Sequence, residues 1–314
     1  MDKALELIKL LGQSDDYFER QKAAWALVNI GEPAIDVVAK ALEGGEFSDL
    51  RYKSAWILGK IGNPRSIEPL TRAMLNDPDH VVREWCAAAL EALGSPKAAP
   101  ALALAMKRDS SKDVRLRAAV ALRGLKAAEE LRGLLSYAEP ETRGLAITGL
   151  AKIGHRESLD EVGSLLQDED IEVRRRAAGY MGEFACDEAL QYLTCALQDS
   201  EPAVRTEALK SLGKIKGERS CDLALEALKD EDWQVRYTAV TTLGEIGHNK
   251  ALEALVEVMF GKDDEEIRAW AAWSLGEIKD PRAVEHLQKA YKTCPMEVMK
   301  KARDSLVEVF KVEL

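Results

Sequence analysis

A single skeleton, V/I-R-x-x-A-A-x-x-L-G-x-I, returns along almost the whole chain and constrains its fold more than any other feature. Aligned on its arginine, it falls at Arg20, Arg51, Arg83, Arg115, Arg143, Arg174, Arg205, Arg236 and Arg268, and a tenth copy carries Met299 in that place. The steps are 31, 32, 32, 28, 31, 31, 31, 32 and 31 residues. A period this constant is the mark of stacked supersecondary units, each unable to bury its own apolar face and completed by its neighbours.

Each period encodes two helices. Counting from the arginine, the second helix carries apolar residues at −1, +3, +4, +7 and +10, which share one broad face at 100° per residue. Alanine dominates +3 (Ala23, Ala118, Ala146, Ala177, Ala208, Ala239, Ala271), so neighbouring helices can approach closely. Glycine at +8 (Gly59, Gly182, Gly213, Gly244, Gly276) serves the same close packing. Glycine at +11 (Gly31, Gly62, Gly94, Gly154, Gly247) stands where a left-handed helix end is wanted. Proline at +13 (Pro33, Pro64, Pro96, Pro281) suits the first turn of the helix that follows. The expected architecture is all-α, one α-solenoid over residues 1–314 of about ten two-helix repeats. Met1–Gln13 would supply a polar first helix, and the arginine-less tenth copy would close the other end. The layer between Arg115 and Arg143 is short, and Leu125–Glu130 is expected to run straight on without the glycine loop.

The repeated arginine reads as structure. Aspartates precede most second helices (Asp79, Asp113, Asp170, Asp199, Asp232), and arginine and aspartate recurring once per layer can bridge neighbouring layers through charge-assisted hydrogen bonds. A ligand would not need one residue in nine layers.

The pattern D-x-x-x-V-R-x-x-A-A-x-x-L-G-x-I-G-x-x-x-A resembles the HEAT-like repeat of the phycobilin lyase class over essentially the whole chain. That resemblance implies a right-handed superhelix with the first helices on the convex side and the second helices lining a concave groove. Members include bilin lyase subunits, peptide-binding scaffolds, deoxyhypusine hydroxylases and a class of DNA glycosylases, so the resemblance narrows function only to these branches.

Function then falls to the positions the skeleton leaves free. On the second helix these are +2, +5 and +9, opposite the core. Five of the six tryptophans lie in these rows, as two groups: Trp25, Trp56 and Trp85 with Tyr52, and Trp270 and Trp273 with Tyr237. Either they pack between adjacent second helices, or they anchor a partner, as tryptophan does at protein interfaces. Charge in the rows is graded: Lys22, Lys53, Lys60, Arg117 and Arg176 lie early, and Glu245, Glu277 and Glu308 late. It reads equally as a solvated face or as a field that orients a partner.

Catalytic chemistry finds no home. His80, His155, His248 and His286 are scattered, and the chain contains no His-Glu dipeptide, which the resemblance to deoxyhypusine hydroxylase would require. The five cysteines form no zinc spacing, and their odd number fits free thiols in a reducing, cytoplasmic setting. A net charge of −10 argues against nucleic acid, and no apolar run reaches the roughly 20 residues needed to span a bilayer. The expectation is a non-enzymatic scaffold without metal or cofactor, such as an assembly or maturation factor. It would grip a protein with Trp25, Tyr52, Trp56, Trp85, Tyr237, Trp270 and Trp273, oriented by Lys22, Lys53, Arg117, Arg176 and Glu277. The alternative is a tetrapyrrole-handling lyase or chaperone, whose flat ligand would stack on the same tryptophans with its propionates on arginine.

Overall fold

The computed structural model describes residues 2–313, and among these it holds helices and turns with no strand. The chain divides into two compact units, 1–155 and 156–314. Unit 1 is five helix pairs: α1 (Asp2–Gln13) with α2 (Tyr17–Ile30), α3 (Ile35–Gly44) with α4 (Ser48–Ile61), α5 (Ile67–Asn76) with α6 (His80–Leu93), α7 (Ala99–Arg108) with α8 (Lys112–Gly124), and α9 (Ala128–Arg132) with α10 (Pro140–Ile153). Unit 2 repeats the plan: α11 (Leu159–Ser164) with α12 (Ile171–Met181), α13 (Asp187–Ala196) with α14 (Pro202–Ile215), α15 (Gly217–Glu226) with α16 (Trp233–Ile246), α17 (Leu252–Phe260) with α18 (Glu265–Ile278), and α19 (Ala283–Thr293) with α20 (Met296–Asp304). Within each unit the second helices of successive pairs pack on one another, as α4 does on α6 and α16 on α18. The all-α solenoid packing expected from the repeat is therefore present within each unit. No described helix is long and apolar enough to cross a membrane.

The repeat positions explain the layers. Ala23, Leu27, Ala118, Leu122, Ala146, Leu150, Ala239, Leu243, Ala271 and Leu275 are buried. Where glycine stands at +8, a helix from the next layer comes against it. A Cβ on Gly59 would lie 2.9 Å from the Ala89 Cβ, and one on Gly244 would lie 2.9 Å from the Ser274 Cα. In unit 2 the residue pressed against the glycine row is a hydroxyl at +6. Ser211, Thr242, Ser274 and Ser305 are buried and donate to the carbonyls of Ala178, Leu209, Val240 and Ala272 in the preceding second helix, at 2.9, 3.4, 2.8 and 3.2 Å. Unit 1 has Ile57, Ala89, Ala121 and Gly149 at that position, so its layers meet without this bond.

The arginine ladder exists, but with partly different aspartates. Arg51, Arg83, Arg174, Arg205 and Arg236 each form a two-pronged bond to a carboxylate of the next layer: Asp77, Asp109, Asp199, Asp230 and Asp263, at 2.7–3.1 Å. Each also donates from its Nη1 to the carbonyl six residues back, as Arg83 does to Asp77 and Arg205 to Asp199. Of the aspartates read from the sequence, Asp199 is a rung. Asp79, Asp170 and Asp232 instead cap α6, α12 and α16, accepting from the N–H of Val81, Val173 and Val235 respectively. The cap and the rung lie two residues apart in one acidic loop, which is why the pattern alone confuses them.

The short layer also departs from expectation. The chain does not run straight on after α8: Lys126 adopts φ 53°, and Ala127 N–H reaches back to the Leu122 carbonyl at 3.0 Å, closing the helix as glycine does elsewhere. The residues saved come largely from α9, a five-residue helix where its counterparts α3, α5 and α7 have ten. Lysine takes this backbone role again at Lys216 (φ 62°, ψ −169°) and Lys279 (φ 58°). At the start of unit 1, Leu5 and Leu10 of α1, Tyr17 and Phe18 of α2, and Phe47 are exposed.

Two outcomes follow from these backbone and ion-pair features. Lys216 holds a conformation that essentially only glycine adopts without strain, so Lys216→Gly should raise stability by about 1 kcal/mol in urea unfolding. Five of the carboxyls bound by the repeated arginines, Asp109, Glu141, Asp199, Asp230 and Asp263, titrate low. At Asp109, Asp199 and Asp230 burial pushes the other way, but the bonded arginine and a backbone N–H outweigh it; at Asp263 and Glu141 the arginine bond is the leading cause. A folded pKa below the unfolded one gives stability above about pH 4 that is lost as pH falls through the depressed values. Arg205→Met should cost about 3 kcal/mol at pH 7, because it strands Asp230, and should flatten the acid limb of stability against pH. An unchanged acid limb would show that the rungs do not set it.

Candidate aromatic interface

The repeat brings the free positions onto one face because +2, +5 and +9 are fixed by the same helix that buries +3, +4 and +7. The +9 row is exposed from Asn29 on α2 to Glu245 on α16, with Glu277 half-buried. The +2 row is mixed, with Lys22 and Trp85 exposed, Arg117, Arg176 and Trp270 half-buried, and Lys53 and Thr238 buried.

In unit 1 the predicted aromatic group forms, as two interleaved pairs. Trp25 on α2 meets Trp56 on α4 edge to face, ring centres 5.1 Å apart and planes at 89°. Tyr52 on α4 lies nearly parallel to Trp85 on α6, centres 6.0 Å apart at 24°. Trp25 remains 50% exposed and Trp85 39%, which leaves much apolar ring surface wet. Lys60 Nζ lies 5.9 Å from the Trp56 ring centre. Lys53 is buried, bound to Asp49 at 2.6 Å and resting over the Tyr52 ring. Burial, with the Asp49 carboxylate beside it, pushes the Tyr52 phenol up to about 12. Tyr52 and Lys53 are thus a packed foundation, and Trp25 and Trp85 are the exposed rings of the group.

In unit 2 Trp270 and Trp273 share α18, edge to face at 5.2 Å and 71°, and Tyr237 on α16 meets Trp270 at 5.9 Å. Burial and the nearby Glu266 raise the Tyr237 phenol. Lys301 on α20 places its Nζ 4.3 Å from the Trp270 ring centre. Lys301 is the +2 residue of the tenth copy and was not among the candidate residues read from the sequence. The signal was there: it follows Trp270 in that row, one layer on.

Arg117, at +2 one layer after Trp85, and Arg176 are each held by a carboxylate. Arg117 pairs with Glu91 of the preceding layer at 3.0 Å, and Arg176 bonds Glu172 one turn back at 2.8 Å. The sixth tryptophan, Trp233, is 49% exposed at the first turn of α16, outside the +2, +5 and +9 rows. Among the described residues no group of three or more His, Cys, Asp or Glu is arranged to hold a metal ion.

Residues 35–123, 128–194, 161–230 and 222–307 match the family described as HEAT repeats. No curated protein matches the sequence significantly. Among solved structures, the fold is similar to Kap95p in a structure with RanGDP, at 16% identity and a TM-score of 0.64 over 98% of this chain and 48% of that one. Yeast importin-beta (Kap95p) is similar at 13% identity and a TM-score of 0.57, over 99% and 53%. Kap121p is similar at 12% identity and a TM-score of 0.55, over 98% and 45%. The chain therefore spans about half the length of these proteins, and the likeness is one of fold.

The two kinds of tryptophan should separate on mutation. Trp25→Ala should cost about 1 kcal/mol, the scale of one edge-to-face contact at an exposed site, whereas half-buried Trp56→Ala should cost about 3 kcal/mol. Denaturant midpoints for the two variants check this.

Proposed function

This chain belongs to the HEAT-repeat family, and on that premise we propose that it is a non-enzymatic scaffold that binds another protein along the face of its second helices. The observation that carries the reading is the pair of wet tryptophans, Trp25 and Trp85, held up by Trp56 and Tyr52 beneath them. Large rings kept exposed on a rigid, pre-organised base bind with little ordering cost, which is how a few aromatic anchors come to dominate an interface. The role of Lys22 is to add positive charge beside Trp25; Lys53, bound to Asp49, supports the tryptophans rather than orienting the partner.

The tetrapyrrole reading is weaker on this geometry. The rings close on each other at 5.1 and 6.0 Å, which leaves no slot for a flat macrocycle between them, and Arg117 and Arg176 are held by Glu91 and Glu172 rather than presented to propionates. Neither feature favours a bilin lyase, and an assembly factor is one form that a protein-binding scaffold can take.

The test compares the wild-type chain with the Trp25→Ala, Trp85→Ala double variant, both immobilised and exposed to lysate of the native host. Proteins retained by the first and lost from the second, with far-UV circular dichroism unchanged, are the expected result, and the interaction should be rebuilt from purified components. Equal retention by a folded double variant would remove the aromatic face from the account. Added haem or bilin should leave the tryptophan emission and the Soret or bilin band where they were.

A further inference from the structure

The two aromatic groups share a construction and differ in the charge around them. In unit 1 the exposed charged neighbours in the rows are Lys22 and Lys60, and Asp49 is already bound to Lys53. In unit 2 the rows supply Glu245 on α16, Glu277 on α18, and Glu308 in the π turn Ser305–Val309 that follows α20. They stand one per layer. Among the described residues these three carboxylates have no ion-pair or hydrogen-bond partner. Glu266 lies close enough to Tyr237 to act on its phenol.

A second observation, independent of the acids, points the same way. Lys301 lays its ammonium 4.3 Å from the centre of the Trp270 ring. The indole face is the best aromatic seat for a cation, and here the protein's own side chain is seated on it. Lys301 does so without a carboxylate contact of its own, so the ring, not an ion pair, holds it there.

We propose that the Tyr237–Trp270–Trp273 group receives the cationic side chains of a basic segment in the partner protein. An arginine of that segment displaces Lys301 from Trp270, and Glu245, Glu277 and Glu308 neutralise cations on either side. This rests on the reading of the second-helix face as the protein-binding surface and gives that surface, in unit 2, a partner chemistry. Layers about 10 Å apart match a polyproline II chain, which rises about 3.1 Å per residue and returns to the same face every third residue, when every third residue is basic. An acidic segment would meet three unneutralised carboxylates and be repelled.

The probe is a blocked nine-residue peptide with arginine at every third position and serine or glycine between, set against the same peptide with glutamate in place of arginine. Each is titrated into the full chain, with tryptophan emission and calorimetry as readouts. The arginine peptide should bind and shift the emission; the glutamate peptide should do neither. Replacing Glu245, Glu277 and Glu308 together with Gln, or Trp270 with Leu, should weaken binding by about tenfold or more, and Lys301→Ala should tighten it severalfold by freeing the ring. A control variant, Glu169→Gln with Glu231→Gln and Asp264→Asn, alters exposed acids on the loop edge and should leave binding unchanged. Loss of binding in that control equal to the loss in the Glu245/Glu277/Glu308 variant would mean the peptide responds to net charge alone. That result would overturn the proposal, as would a Lys301→Ala variant that binds no tighter, or an arginine peptide that does not bind. Capture dependent on Trp25 and Trp85 in unit 1 would be untouched by any of these results, so the two readings fail separately.

Discussion

The layers are held in step by one repeated bond. A guanidinium reaches forward to the carboxylate at the entry of the next layer and back to the carbonyl six residues before it, so an aspartate such as Asp109 or Asp230 stands between two arginines, one on its carboxylate and one on its carbonyl. Desolvating such a pair offsets most of its Coulombic gain, so its net contribution to stability is small beside that of the buried leucines and alanines. Its geometry is another matter. Apolar faces of alanine and leucine would tolerate a slip of one helix past another, but a two-pronged bond at 2.7–3.1 Å does not. The short layer shows how far this constraint is kept. Arg115 still finds its partner 26 residues on, although the lost residues have moved that position into the first turn of α10, and there the residue is Glu141, whose longer side chain spans the gap. Where the partner is missing the arginine turns inward. Position 45, the counterpart of Asp77, is Gly45, and Arg20 is left with the Ser14 carbonyl and an unpartnered Nε. At Arg268 the counterpart is Thr293, and the bond goes to the Met259 carbonyl.

With the register set, the two units close the contact between second helices in different ways. Unit 2 uses a buried hydroxyl that donates to a carbonyl of the preceding layer, beside a glycine too close to accept a side chain. A buried hydroxyl needs an acceptor, and a helix carbonyl has a second lone pair to give. This makes the approach specific as well as close. Unit 1 uses Ile57 and Ala89, which fill the same space with no direction to the contact. Both leave +9 on the solvent side of the packed seam, so that position varies at little cost to the stack.

Most of this architecture was legible because a period repeats its own evidence: nine arginines, five glycines and a row of alanines each say the same thing. What was not legible were choices made between neighbours. Asp77 and Asp79 lie in one loop, and only the path of the chain decides that the first is a rung and the second a cap. The left-handed turn at Lys126 carries no glycine to announce it. Lys53 shares a row with exposed Lys22, yet it is buried because Asp49, one turn back on the same helix, draws it in. The aromatic groups were legible as neighbours through their row numbers, but not the way their rings meet.

That last distinction separates scaffold from recognition. In both units a tryptophan is held by an aromatic ring of an adjacent second helix, Trp25 by Trp56 and Trp270 by Tyr237. Such a contact lets a large ring stand partly in water without wandering, since the neighbour fixes its orientation and shields one face or edge. Once the ring is fixed, its surroundings can change sign freely, because +9 touches solvent and contributes little to the core. Lysine beside Trp56 and glutamate beside Trp273 are therefore substitutions of equal cost to the fold and opposite meaning to a ligand. A repeat that spends its strictness on arginine, aspartate, alanine and glycine has this consequence built in: the chemistry presented at each layer is decided by two or three side chains that the stacking does not constrain.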